Sequence, residues 1–327
     1  MEIDERLIAN PLAERFDRAP PPEAALAFHR SLPAYAPTPL VDAPAAAQAL
    51  GVARVLVKDE SSRLGLPSFK ILGASWAIER ALQERGDRPA LACATDGNHG
   101  RAVARVARDR GLEVTVFVPA DMIAARREAI AAEGARVQVV DGSYDEAVER
   151  AAATGALVIQ DTSWPGYEDV PRWIVEGYGT IGAEIDLEPD LVAVQIGVGS
   201  FAAAMVRRFA GARIVGVEPV TAACALASAE AGELVEVPGP HDSVMAGLNC
   251  GRASLAAWPV VSRGIEAFAA VSDERAREAV ELLARDGVTA GESGAAGLAG
   301  LLAFRDELAL RPADTVLVIN TEGDTTI

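Results

Sequence analysis

Cysteine and histidine are scarce, at three of each in 327 residues. Cys93, Cys224 and Cys250 show no C-x-x-C spacing, so no structural metal site is evident. No apolar run approaches the roughly 18–20 residues that cross a bilayer, which excludes a spanning helix. Basic residues are in deficit: 30 Lys plus Arg stand against 47 Asp plus Glu, a net charge of −17. Nucleic acids and anionic membranes are bound through basic patches, so neither is an expected partner. The acids are spread along helical faces rather than gathered in a tail, and solubility is their plain reading. The N-terminal MEIDERLIANPLAERFD lacks the basic-then-apolar order of a secretion signal, and a cytoplasmic protein is expected.

What the chain has is alternation. Residues 1–40 are proline-rich and read as irregular. Beyond them, short β-branched runs (55–57, 90–94, 114–118, 137–140, 157–159, 191–196, 213–217 and 315–319) alternate with alanine-rich amphipathic stretches (98–110, 122–133, 144–153, 173–186 and 199–210). Such alternation predicts an α/β fold with mainly parallel sheets covered by helices. Ligands in these folds bind beyond the carboxyl ends of the strands, so the turns after each strand are the place to look. The turn-rich, aromatic segment DTSWPGYEDVPRW (161–173) divides the pattern in two and reads as a hinge, a pocket wall or a packed connector.

Four features stand at such places. Lys70 sits in PSFKILGA between apolar residues, just where a helix starts, and lysine is rarely buried without a partner. Thr95-Asp96-Gly97-Asn98-His99 follows one strand; Asp96 or Asn98 is placed to cap the next helix, yet capping accounts for one residue of the cluster. Gly197-Val198-Gly199-Ser200-Phe201 follows another strand and opens a helix, the construction that cradles phosphate. Asn320-Thr321-Glu322-Gly323-Asp324 follows the last strand. The glycine loop also fits a dinucleotide fingerprint, with Glu218 placed 19 residues after Gly199 for a ribose. An NAD-dependent oxidoreductase is therefore a rival, although it leaves Lys70 unexplained. A phosphorylated aldehyde cofactor accounts for all four: a Schiff base with a desolvated Lys70, phosphate on 197–201, Asn98 on a ring hydroxyl and Thr321 on a ring nitrogen.

The ordered motifs APTPL (36–40), VKDESSRLGLPSFKILGAS (57–75), ATDGNHGRAVA (94–104), QDTSWPGYEDVPRWIVEGYGT (160–180), GVGSF (197–201), MAGLNCG (245–251), ESGAAGL (292–298) and NTEGDT (320–325) cover the chain from about residue 25. In them the sequence resembles the fold-type II pyridoxal-phosphate enzymes, the tryptophan synthase β-like group, and within it the ammonia-lyases of 2,3-diaminopropionate. The resemblance implies two domains, each a mainly parallel sheet flanked by helices: residues 1–60 with 161–327 as a large cofactor-binding domain, and 61–160 as a smaller mobile one. It implies pyridoxal 5'-phosphate held by Lys70, Asn98, Gly197, Val198, Gly199, Ser200, Phe201 and Thr321. It further implies α,β-elimination to pyruvate and ammonia, with Lys70 and Asp96 as bases on opposite faces of the substrate. Asp96, Asp161 and Ser68 are the substrate-binding candidates, the acids suiting a second ammonium. A serine, threonine or hydroxyaspartate dehydratase of the same fold is the alternative. A homodimer acting on a small amino acid, without metal, is expected. Cys224 and Cys250 lie 26 residues apart; a disulfide and two free thiols both remain open.

Overall fold

The computed structural model describes residues 4–14, 19–20, 22–95, 97–120, 122–142 and 144–323. Among them the β-branched and alanine-rich runs form β1 (Arg6–Ala9), β2 (Leu40–Asp42), β3 (Arg54–Asp59), β4 (Leu91–Ala94), β5 (Val114–Pro119), β6 (Arg136–Val140), β7 (Leu157–Val158), β8 (Leu191–Gln195), β9 (Arg213–Pro219), β10 (Ala267–Val271) and β11 (Thr315–Asn320). They make two sheets. The larger has the order β1-β10-β9-β8-β11-β3-β2 and the smaller β6-β5-β4-β7. Every pairing in the smaller sheet is parallel. In the larger sheet only the edge strands β1 and β2 run antiparallel. Every residue of β8 and of β10 is buried, as parallel strands covered on both faces require.

The eight anticipated strands are present, with ends shifted by one or two residues. The anticipated helix over 173–186 runs instead over Asp169–Ala183. Its Pro171 is tolerated there because a first-turn amide has no carbonyl partner within the helix. Three strands were not legible. β10 reads AFAAV, alanine-rich and helix-like, and is a strand because β9 and β1 pair with it on either side. β1 and β2 are short edge strands. Residues 1–40 are thus not wholly irregular: they hold β1, the start of β2 and a helix over Glu23–Ser31.

Two features fix the segment that carries Lys70. The helix Lys70–Arg85 crosses the helix Asp169–Ala183 glycine to glycine. A Cβ on Gly73 would meet the Tyr178 ring at 2.5 Å, and one on Gly177 would meet the Leu72 carbonyl oxygen at 2.5 Å. The second feature is a buried charge cluster. Arg63 donates to both Glu60 oxygens, at 2.6 and 2.7 Å, and to both Glu184 oxygens, each at 2.8 Å. Lys58 Nζ donates to Glu184 at 2.6 Å and to the Thr38 carbonyl at 2.8 Å. Two cations face two carboxylates, all four essentially without solvent contact. Buried charges of this kind persist only when paired and hydrogen-bonded. The cluster joins β3, the loop leading to Lys70 and the end of the helix Asp169–Ala183.

Candidate active site

The carboxyl ends of β4, β8 and β11 open onto one cavity, and the first turn of the helix Lys70–Arg85 closes its side. The chain has two lysines. Lys58 is locked in the buried cluster, so Lys70 is the lysine of the cavity wall. Phe69 anchors the turn, its ring 4.6 Å from that of Tyr178 and 5.0 Å from that of Phe201. Lys70 Nζ does not escape to bulk water: it donates to Asp161 Oδ2 at 2.6 Å. Burial alone would favour the neutral amine, but the Asp161 carboxylate outweighs it and holds the ammonium well above the ordinary lysine range. Burial likewise acts to raise Asp161, and the Lys70 ammonium brings that carboxyl down to about 2.

The glycine loop lies across the same cavity. Gly199 has φ of +93°, a left-handed conformation suited to glycine, and it directly precedes the helix Ser200–Arg208. The first-turn amides of that helix have no intrahelical carbonyl to meet, and they present positive potential to an anion. Ser200 Oγ donates to the Asp161 carbonyl at 2.8 Å, which ties this loop to the segment facing Lys70. Behind Gly197 lie Cys224 and Cys250, which form no disulfide.

Asn98 begins the helix Asn98–Arg110 but does not cap it. Thr95 does so, its hydroxyl accepting from the Gly97 and Gly100 amides at 2.9 and 3.0 Å. That leaves the Asn98 amide to cross the cavity and donate to Glu322 Oε2 at 2.5 Å. Thr321 Oγ1 accepts from Gln195 Nε2 at 2.7 Å, so its own proton is available to an acceptor in the cavity. Gln195 is held by the Ser293 and Ile319 carbonyls.

Lys70, Asn98, Asp161, Gly197, Val198, Gly199, Ser200, Phe201 and Thr321 therefore meet in one cavity. Ser68 does not join them: it is buried and its backbone bridges Glu322, while its neighbours Pro67 and Phe69 line the wall. Asp96 lies outside the described residues, as do Asp324 and Thr325. Sequence reasoning passed over Gln195 and the function of Glu322. The signal was present in both: a polar residue closing the apolar run LVAVQ, and an acid between a strand end and a glycine.

Glu218 has a different job from the ribose contact its spacing suggested. It has no solvent exposure, and its two oxygens accept from the Ala225 and Leu226 amides at 2.8 Å each. Burial pushes its carboxyl up to about 7 despite those bonds. It caps the helix Cys224–Ala231 and cannot reach a nucleotide. Among the described residues no cluster of His, Cys, Asp and Glu is arranged to hold a metal.

Comparison with known proteins agrees with this geometry. A family model described as pyridoxal-phosphate dependent enzyme matches residues 32–322. The diaminopropionate ammonia-lyase of Salmonella typhimurium is 35% identical over 92% of this chain and 88% of its own length. That of Escherichia coli K12 is 33% identical over 92% and 87%. The chain belongs to the pyridoxal-phosphate dependent enzymes, in the family of the diaminopropionate ammonia-lyases. A crystal structure of the Escherichia coli enzyme in complex with an aminoacrylate–PLP azomethine reaction intermediate superposes with a TM-score of 0.91, at 32% identity over 98% of this chain and 94% of that one. The fold is the fold-type II, tryptophan synthase β-like α/β fold, and the cofactor is pyridoxal phosphate. The residues present fit that group. A glycine-bearing helix start suits its phosphate, a lysine in the cavity wall suits its aldehyde, and Thr321 offers a neutral donor to its ring nitrogen.

Proposed function

We propose that this pyridoxal-phosphate dependent enzyme eliminates ammonia from 2,3-diaminopropionate, leaving pyruvate after hydrolysis. The observation that carries the reading is the pair of acids set in the cavity of Lys70, which Arg101 and Arg126 also line. Asp161 and Glu322 both line it, and diaminopropionate brings a second ammonium that serine and threonine lack. Burial raises the Glu322 carboxyl above its ordinary value, so a cation beside it restores a charge that burial disfavours.

The cofactor, when bound, supplies an electron sink for negative charge developing at the substrate's Cα. Lys70 would hold it, and the Lys70 amine would carry the Cα proton on one face. Asp96 carries it on the other face, which allows both enantiomers to react. The amides of 197–201 bind the phosphate, and Asn98 turns its amide from Glu322 to the ring hydroxyl. Thr321 would donate to the ring nitrogen, a neutral contact that brings it no charge. Asp161 orients Lys70 and receives the substrate's second ammonium.

Residues 1–60 with 161–327 act as the large cofactor-binding domain and 61–160 as the smaller mobile one. The smaller sheet supports this division, since all its strands lie between Leu91 and Val158 while the larger sheet has none there. The enzyme works as a homodimer in the cytoplasm; the family resemblance supports the dimer. None of the described helices is long and apolar enough to cross a membrane.

The test is pyruvate release by the cofactor-loaded protein from D- and L-2,3-diaminopropionate, beside keto-acid release from L-serine and L-threonine. Turnover of both diaminopropionate isomers well above the hydroxy amino acids is expected. Activity confined to serine and threonine would move the chain to the dehydratases, which are also among its relatives: the threonine dehydratase of Mycobacterium leprae is 28% identical over 91% of this chain.

A further inference from the structure

This inference deepens the reading above and rests on it. His99 is 4% exposed and follows Asn98 in the helix that opens the cavity. Its Nε2 lies 2.8 Å from the Ile159 carbonyl. A carbonyl can only accept, so Nε2 carries the ring proton and Nδ1 of the neutral ring is a lone pair. Burial favours that neutral ring and holds His99 below its ordinary value. The Nδ1 lone pair is buried and has no hydrogen-bond partner among the described residues. It stands 3.9 Å from Asp161 Oδ2, the same oxygen that receives Lys70 Nζ.

A buried acceptor with nothing to accept is destabilising, and here it faces the oxygen of an anion. The arrangement suits a second state, in which a proton lies between them. Lys70 must enter such a state. Only its amine is a nucleophile or base, and becoming an amine strips Asp161 of its cation, leaving an uncompensated buried carboxylate. The other described groups nearby give no relief. Tyr178 faces Lys70, and Cys93 and Tyr167 face Asp161; all three are acids that burial keeps protonated. The His99 lone pair is the acceptor at hand.

We propose that Asp161 and His99 form a proton-holding pair for Lys70. When Lys70 passes from ammonium to amine, an N–H bond at Nζ breaks and the proton comes to rest between Asp161 Oδ2 and His99 Nδ1. Lysine falls from +1 to 0 as the pair rises from −1 to 0, so the buried set is neutral before and after. The Asp161 carboxylate turns from Nζ to Nδ1 in the exchange. His99 is a positioning residue, acting through Asp161.

The test is ¹⁵N NMR of the full-length protein without added cofactor. There are three histidines, and a His99→Asn spectrum assigns the resonance. Wild type should show Nδ1 of His99 as a bare lone pair. Lys70→Met, which removes the ammonium as deprotonation would, should show Nδ1 protonated or hydrogen-bonded, and Lys70→Met with Asp161→Asn should return it to the bare form. An unchanged Nδ1 in Lys70→Met would overturn the pair. Should Lys70→Met fail to fold, labelling of Lys70 by an amine reagent answers the same question. The rate should fall about tenfold in His99→Asn, one pH unit in Lys70 ionisation, and recover at higher pH; an unaltered rate would overturn the proposal. Both readouts are independent of cofactor binding. A wild-type protein that gained no visible absorbance with pyridoxal phosphate would count against the functional reading instead.

Discussion

Lys70 Nζ and Asp161 Oδ2 are joined over 2.6 Å although their residues lie 91 positions apart. The pair sets the charge of the one lysine in the cavity. Asp161→Asn removes the carboxylate and leaves burial to act alone, so Lys70 should ionise at a lower pH. In the protein without cofactor, amine-reagent labelling of Lys70, read by peptide mass, should then quicken by about tenfold or more. An unchanged rate would mean that the pair does not govern this lysine.

Glu322 receives the Asn98 amide from across the cavity. Glu322→Gln keeps an acceptor oxygen there and removes the possibility of charge. If the acid serves the second ammonium of diaminopropionate, kcat/KM for that substrate should fall by about tenfold relative to serine, on the order of 1.4 kcal/mol. Equal losses on the two substrates would assign Glu322 to holding Asn98 alone.

The Arg63–Glu184 pair carries stability rather than chemistry. Glu184→Ala leaves Arg63 and Lys58 with one carboxylate, Glu60, between them in a site closed to water. Breaking a buried pair from one side costs about 3–5 kcal/mol, and urea unfolding should show a loss of that size. A loss below about 1 kcal/mol would mean that water fills the gap.

Glu218 predicts a pH dependence of stability. Its folded carboxyl is raised from 4.5 to about 7, so between those values the folded chain binds the proton and the unfolded chain has released it. Stability should therefore be highest below about pH 4.5 on this account, decline as pH rises to about 7, and level off beyond. The burial that raises the group amounts to a few kcal/mol. Glu218→Gln should flatten that part of the profile in denaturant titrations at several pH values; an unchanged slope would place the titration elsewhere.

Much of this site could be read from the sequence because it sits where chain direction changes. Lys70, the 197–201 loop and Thr321 each follow a recognisable local signal: an apolar turn, a glycine pair opening a helix, a polar residue after an apolar strand. Local signals also carried the two sheets, since β-branched runs such as 114–118 and 213–217 can pack well only as covered strands. What stayed hidden was set by distance or by tertiary override. Arg63 meets Glu184 over 121 residues, and neither neighbourhood hints at the other. Alanine-rich β10 is a strand through its neighbours, not its propensity. Glu218 had the spacing of a ribose ligand, but the spacing could not show that the next helix starts on top of it. Ser68 belongs to the motif around Lys70, yet it is buried with its backbone against Glu322, beside the cavity that Pro67 and Phe69 line.

The attachment of the cofactor is the most direct test of the account. The wild-type protein would be loaded with pyridoxal phosphate, reduced with borohydride, digested and read by peptide mass. With two lysines in the chain, the outcome is simple. The account predicts the phosphopyridoxyl mass on Lys70 and an unmodified Lys58. Label on Lys58, or none on either lysine despite bound cofactor, would contradict it.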